Sequence, residues 1–170
     1  MAPHDQGVRV RVLLERPLPA ALQGRAGFNL EFLPSAYFGK AWATDAGHGQ
    51  LPRYPAGPSG RDAQGNTVRL PIARGQRLVL APEDPQRRVA IDGRGGELAL
   101  YDGRNQAQNG WYVVRSLLPA GRTGAVLEWT LTGSTEPGWT RAPVIGHSQV
   151  GYHPAQAKVA VLETDPTAPC

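Results

Sequence analysis

The feature that most constrains this chain is a two-residue hydrophobic alternation, repeated in short runs with glycine or proline between them. In "VRVRVLLE", Val8, Val10, Val12 and Leu14 alternate with Arg9, Arg11 and Leu13. That period belongs to a strand with one face buried and one face wet. "FNLEFL" repeats it with Phe28, Leu30 and Phe32. Further strand patterns follow at "TVRLPI" (67–72), "QRLVLA" (76–81), "RRVAID" (87–92), "ELALYD" (97–102), "WYVVRSLL" (111–118) and "AVLEWTLT" (125–132). The connections between them, such as "PEDPQ", "GRGG" and "PAGRTG", have turn composition. Gly (21) and Pro (16) make up over a fifth of the 170 residues, well above ordinary usage.

Such punctuation leaves no room for a long helix. Only "PAALQG" and "RNQAQN" are expected to hold a helical turn. Eight or so short strands predict an all-β protein, an antiparallel β-sandwich of jelly-roll or immunoglobulin-like type. Residues 76–102 read as a three-stranded antiparallel meander, and residues 34–66 as a mostly irregular loop. "GSTEPGWTRAPVIG" is rich in turn formers and marks a boundary. The expected organisation is a sandwich over 5–135, a linker over 136–146 and a separate segment over 147–170.

Charge and cysteine usage exclude several function classes. The net charge is +4, from 18 basic and 14 acidic residues, and all the basic residues except Lys40 and Lys158 are arginine. The arginines alternate with acids and apolar residues instead of forming a basic run, so no nucleic-acid partner is expected. The lone Cys170 excludes an internal disulfide, and no structural zinc or other metal site is expected. No apolar run approaches the ~20 residues of a membrane helix. The start, "MAPHDQGVRVRV", lacks the plan of a secretory signal, and a soluble chain without a membrane partner is expected.

Signatures of catalysis are missing as well. There is no G-x-S-x-G elbow, H-E-x-x-H, P-loop or dinucleotide fingerprint, so neither catalytic residues nor a cofactor is expected. Asp45 and His48 in "ATDAGHGQ" form the one acid-rich candidate, and the flanking glycines read as a surface loop. Glu83 and Asp84 stand beside Arg87 and Arg88, a local charge cluster at a hairpin tip. The more informative segment is "YDGRNQAQNGWY". It gathers Tyr101, Asn105, Gln106, Gln108, Asn109, Trp111 and Tyr112 in one strand–loop–strand unit. Sugars present a C–H face that suits a flat ring and hydroxyls that suit planar amides. Tyr101, Asn105, Gln108, Asn109 and Trp111 are therefore the candidate carbohydrate contacts, with a polysaccharide or oligosaccharide as partner. In the competing reading Trp111 or Tyr112 belongs to the core and the amides cap turns.

The segment "SQVGYHPAQAKVAVLE" resembles the opening of the immunoglobulin-like domain that precedes the catalytic domain in family 9 glycoside hydrolases, the cellulase family. Gln149, Val150, Gly151, Tyr152, Pro154 and Lys158 match that opening, and His147-Ser148 stand where many members carry an asparagine. Upstream, "AGFNLEFLPSAYFGKAW", "LAPEDPQRRVAI" and "DGRNQAQNGWYVVRSLLPAG" resemble an extra N-terminal β-domain of some bacterial members. The resemblance implies a parent enzyme that hydrolyses β-linked glucans or a related polysaccharide with inversion, using a carboxylic acid and an aspartate base. It also implies the parent enzyme's catalytic domain as partner and a parent family that is typically secreted or periplasmic, while the location of this chain itself stays open. The family's D-A-G-D motif follows the immunoglobulin-like domain, whereas "DAGH" at 45–48 precedes it and ends in His, so no role passes to Asp45. The resemblance implies that the segment supplies only the first strands of an immunoglobulin-like domain. The expectation is a non-catalytic, N-terminal part of a longer glycosidase, inactive alone and structural or carbohydrate-contacting. The alternative is a free-standing carbohydrate-binding sandwich.

Overall fold

Strand β2 (Gly7–Leu14) realises the first alternation, with Val10 and Val12 packed toward the core and Arg11 exposed. A computed structural model describes residues 2–4, 7–105, 110–134, 143–148 and 150–164. The chain divides into two compact units, Met1–Ser134 and Thr135–Cys170. In the first, β1 (Ala2–His4) pairs with β2, and β3 (Gly27–Phe32) leads into a single helical turn, α1 (Pro34–Tyr37). Next come β4 (Ala41–Thr44), β5 (His48–Gln50), β6 (Ser59–Arg61), β7 (Thr67–Arg69) and β8 (Ala73–Gly75). The last five are β9 (Arg77–Leu80), β10 (Val89–Arg94), β11 (Leu98–Asp102), β12 (Tyr112–Leu117) and β13 (Gly124–Gly133).

These strands form an all-β, antiparallel sandwich. A seven-stranded sheet runs in the order β1-β2-β13-β10-β9-β4-β5, and a four-stranded sheet in the order β3-β12-β11-β8. Between them lie Leu78, Leu80, Ile91, Leu127 and Trp129 from the larger sheet and Leu98, Leu100, Tyr112 and Val114 from the smaller, all essentially inaccessible to water. Trp129 joins the two faces. Its ring meets Phe28 edge-on at 4.9 Å, and its Nε1–H donates to Ser116 Oγ at 3.2 Å. Ser116 donates in turn to the Glu97 carbonyl at 2.8 Å, so the buried hydroxyl is satisfied on both sides. A bulge between Ala125 and Leu127 turns two consecutive residues, Val126 and Leu127, into buried positions.

The meander expected over 76–102 is only half right. β9 and β10 form a hairpin, but β11 leaves for the four-stranded sheet, and the edge of β10 away from β9 pairs with β13. The crossing is made by Gly95 and Gly96. Gly95 has φ +87, and a Cβ there would stand 2.2 Å from the Val126 carbonyl oxygen. Only glycine accommodates both demands. The loop expected over 34–66 also needs correction, since it holds α1, β4, β5 and β6. β4 and β5 extend the seven-stranded sheet, while β6 pairs with β7 in a separate two-stranded ribbon. "TVRLPI" is a strand only at 67–69. Of the two segments expected to hold a helical turn, "PAALQG" contains a 3-10 turn at Ala20–Leu22; "RNQAQN" starts within a second at Gly103–Asn105, and its residues 106–109 lie outside the described residues.

In the second unit β14 (Val144–His147) pairs with β15 (Ala160–Glu163). β14 falls mostly within the stretch expected as linker. Between the strands, Gly151 takes φ +83 and a turn begins at His153, whose carbonyl accepts from Gln156 N at 2.9 Å. The Tyr152 hydroxyl donates to the Val159 carbonyl and accepts from Ser148 N. Lys158 Nζ reaches the Pro154 carbonyl at 3.1 Å. Gly151, Tyr152, Pro154 and Lys158 of the "QVGYHP…K" pattern thus fold as one local unit.

Candidate functional site

The outer face of the four-stranded sheet is set by strand alternation. With Tyr112, Val114 and Ser116 buried, Val113, Arg115 and Leu117 of β12 point the other way, as do Asn29 and Glu31 of β3 and Ala99 and Tyr101 of β11. Register aligns them in rows. Arg115 stands opposite both Asn29 and Ala99, and Val113 opposite both Glu31 and Tyr101. The Arg115 guanidinium lies 5.7 Å from the centre of the Tyr101 ring, a cation–π distance. Arg74 of β8 pairs with Glu97 at 2.6 Å on the same side. A shallow depression of about 120 Å³ is lined by Arg74, Glu97, Ala99, Tyr101, Arg115 and Leu117. It combines one flat ring, guanidinium donors and a carboxylate acceptor on a rigid sheet.

Of the residues expected to contact sugar, Tyr101 lies on this face. Trp111 immediately precedes β12, is half-exposed and shares the strand parity of Val113 and Arg115. Its carbonyl accepts from Gly103 N at 2.9 Å, which closes the base of the loop between β11 and β12. Asn105 ends the 3-10 turn in that loop. The Asn105 side chain, Gln106, Gln108 and Asn109 lie outside the described residues. Tyr112 belongs to the core. Arg115, Arg74 and Asn29 went unremarked in the sequence. The alternation of "YVVRSLL" places Arg115 on the polar face, but its neighbours come from β3 and β11, which only the sheet order reveals.

Beneath the loop lies a buried charge pair. Arg104 grips Asp102 through Nε and Nη2, each 2.8 Å from a carboxylate oxygen, and its guanidinium lies 4.6 Å from the Tyr112 ring centre. It also donates to the carbonyls of Pro52, Arg53 and Tyr54. Burial pushes the Asp102 carboxyl up, but hydrogen bonds from Arg104 and the Ala56 amide outweigh it and hold the group below the usual carboxylate range. Burial pushes the Tyr112 phenol up, against the nearby Arg104 charge, and its hydroxyl donates to the Pro52 carbonyl at 2.5 Å. An ionised carboxylate held by so many donors is a clamp on residues 52–56 and has no proton to give.

The other candidates are also engaged locally. Asp45 Oδ1 accepts from the amides of Gln76 and Arg77, where the chain passes from β8 in one sheet to β9 in the other. His48 is exposed on β5. Glu83 accepts from Ala41 N at 2.9 Å, while Asp84 pairs with Lys40 at 2.9 Å and Arg87 at 3.2 Å. Among the described residues no cluster of three or more His, Cys, Asp or Glu could hold a metal ion. Comparison with protein-family models, curated proteins and solved structures finds no match for this chain.

Proposed function

We propose that the sandwich is a non-catalytic, carbohydrate-contacting module, of the kind that accompanies the catalytic domain of a family 9 type glycoside hydrolase in polysaccharide breakdown. The observation that carries this reading is the Tyr101–Arg115 face: a ring sharing a depression with the Arg115 and Arg74 guanidiniums and the Glu97 carboxylate, with Trp111 on the same strand parity. Rings bury the C–H face of a sugar, and charged planar groups bind vicinal hydroxyls. The "SQVGYHP…K" segment supports the family reading through its resemblance to the opening of the immunoglobulin-like domain. A sandwich working without enzymatic context is the second reading, favoured by the core that Met1–Ser134 has of its own.

The test is calorimetric titration of the full chain with gluco-, xylo- and manno-oligosaccharides, alongside an assay for released reducing ends. Saturable binding that Tyr101→Ala weakens at least tenfold, about 1.4 kcal/mol, is the expected result, with no hydrolysis. Flat titrations across all three series would overturn the carbohydrate role. Turnover by the pure chain would overturn the non-catalytic one.

A further inference from the structure

The outer face of the seven-stranded sheet carries two cross-strand rows of charge. One runs Arg11, Glu128, Arg94 across β2, β13 and β10; the next runs Arg9, Thr130, Asp92, Arg77 and extends to β9. Both carboxylates already have partners. Arg77 Nη1 donates to both oxygens of Asp92 at 2.8 and 2.9 Å, and Arg11 Nε donates to Glu128 at 2.6 Å. Four guanidiniums thus face two carboxylates, and Arg9 and Arg94 share the field of Glu128 without a hydrogen bond to it among the described residues. Arg9 Nε forms a long ion pair with Glu128 at 3.8 Å, beyond hydrogen-bonding reach, and this buried nitrogen has no hydrogen-bond acceptor among the described residues. Arg94 is exposed and makes no side-chain hydrogen bond among the described residues.

Arg9, Arg94, Thr130, Asp92 and Glu128 line an open depression of about 240 Å³. That is several times the ~30 Å³ share of one water. A buried donor left unmade is costly, and guanidinium forks match the planar pair of oxygens of a carboxylate or the oxygens of sulfate and phosphate. Thr130 adds a hydroxyl on the strand between the two arginines.

We propose that Arg9, Arg94 and Thr130 form an oxyanion-binding site whose ligand is the carboxylate of an acidic saccharide, a free inorganic oxyanion being the other source of the same chemistry. The site is on the opposite sheet from Tyr101 and stands whether or not that face binds neutral sugar.

The experiment uses the full chain at low ionic strength, where charge pairing is least screened. Arginine Nε–H NMR signals and calorimetry are followed during separate titrations with sodium sulfate, sodium phosphate, an oligogalacturonate and a neutral cello-oligosaccharide. The expected result is a saturable shift of the Arg9 Nε–H signal with the anions alone, weakened about tenfold in Arg94→Gln and unchanged in Tyr101→Ala. Oligogalacturonate binding more tightly than sulfate and phosphate supports the acidic saccharide. Tighter binding of the inorganic ions keeps the oxyanion site but overturns the saccharide as its ligand. Anion-insensitive Arg9, or equal affinity in Arg94→Gln, would overturn the site. Arg94 is exposed, so its variant tests binding without disturbing the core.

Discussion

Arg104 and Asp102, two residues apart in the chain, meet through two parallel 2.8 Å hydrogen bonds with the carboxylate wholly buried and the guanidinium only 11% exposed. The pair locks the end of β11 onto the carbonyls of residues 52–54. Removing one partner leaves the other buried and uncompensated, which costs more than the pair itself contributes. Asp102→Ala is therefore expected to lose about 3 kcal/mol of unfolding free energy, read from urea denaturation at neutral pH. A loss within a few tenths of a kcal/mol would show that the clamp is dispensable.

The same pair sets an acid limit. Because the folded state holds the Asp102 carboxyl below its ordinary value, the unfolded chain binds this proton first as pH falls. The contribution is complete above the ordinary carboxylate range and is lost as pH drops through the depressed folded value. Denaturation midpoints measured from pH 7 downward should decline below about pH 4. Asp102→Asn, already destabilised at neutral pH, should decline less steeply, since it has no proton to take up there. Parallel profiles for the two proteins would remove Asp102 from the account.

Gly95 carries the passage from one sheet to the other. A side chain there meets both a left-handed backbone and the Val126 carbonyl, a contact of 2.2 Å that the backbone must move to relieve. Gly95→Ala is expected to destabilise by at least ~1–3 kcal/mol. Gly133, at the far end of the β10–β13 pair, has a Cβ position with nothing closer than 3.9 Å and is the control that should tolerate alanine far better. Equal effects at the two sites would remove the special role of the crossing.

What could be read in advance follows from the range of each interaction. The strands β2, β3 and β9 to β13 were legible because Val8 to Leu14 and their counterparts alternate within one segment. β4 and β5 were not: "AWAT" and "HGQ" show no alternation, and β4 becomes a strand through register with β9 while β5 becomes one through register with β4. The meander over 76–102 failed at Gly95-Gly96, where composition signals a turn but not the sheet that follows it. At the candidate site, aromatic content singled out Tyr101 and Trp111. Arg115 acquires its place above Tyr101 only through the pairing of β11 with β12.

Asp45 shows how a residue that attracts a catalytic reading can be structural. Its Oδ1 accepts from Gln76 N at 2.9 Å and from Arg77 N at 3.3 Å, and a Cβ on Gly75 would stand 2.0 Å from that same oxygen. Glycine at 75 and aspartate at 45 are thus a matched pair: the first clears the space, and the second fills it with an acceptor for two backbone amides. Asp45→Ala should leave those amides without their acceptor and cost about 1–2 kcal/mol. Asp45→Asn keeps an oxygen in place and should recover at least half of the loss. Hydrogen exchange at the Gln76 and Arg77 amides gives the local readout, expected to accelerate in Asp45→Ala and to stay near wild type in Asp45→Asn. Unchanged exchange at both amides in Asp45→Ala would show that the corner between the two sheets holds without it.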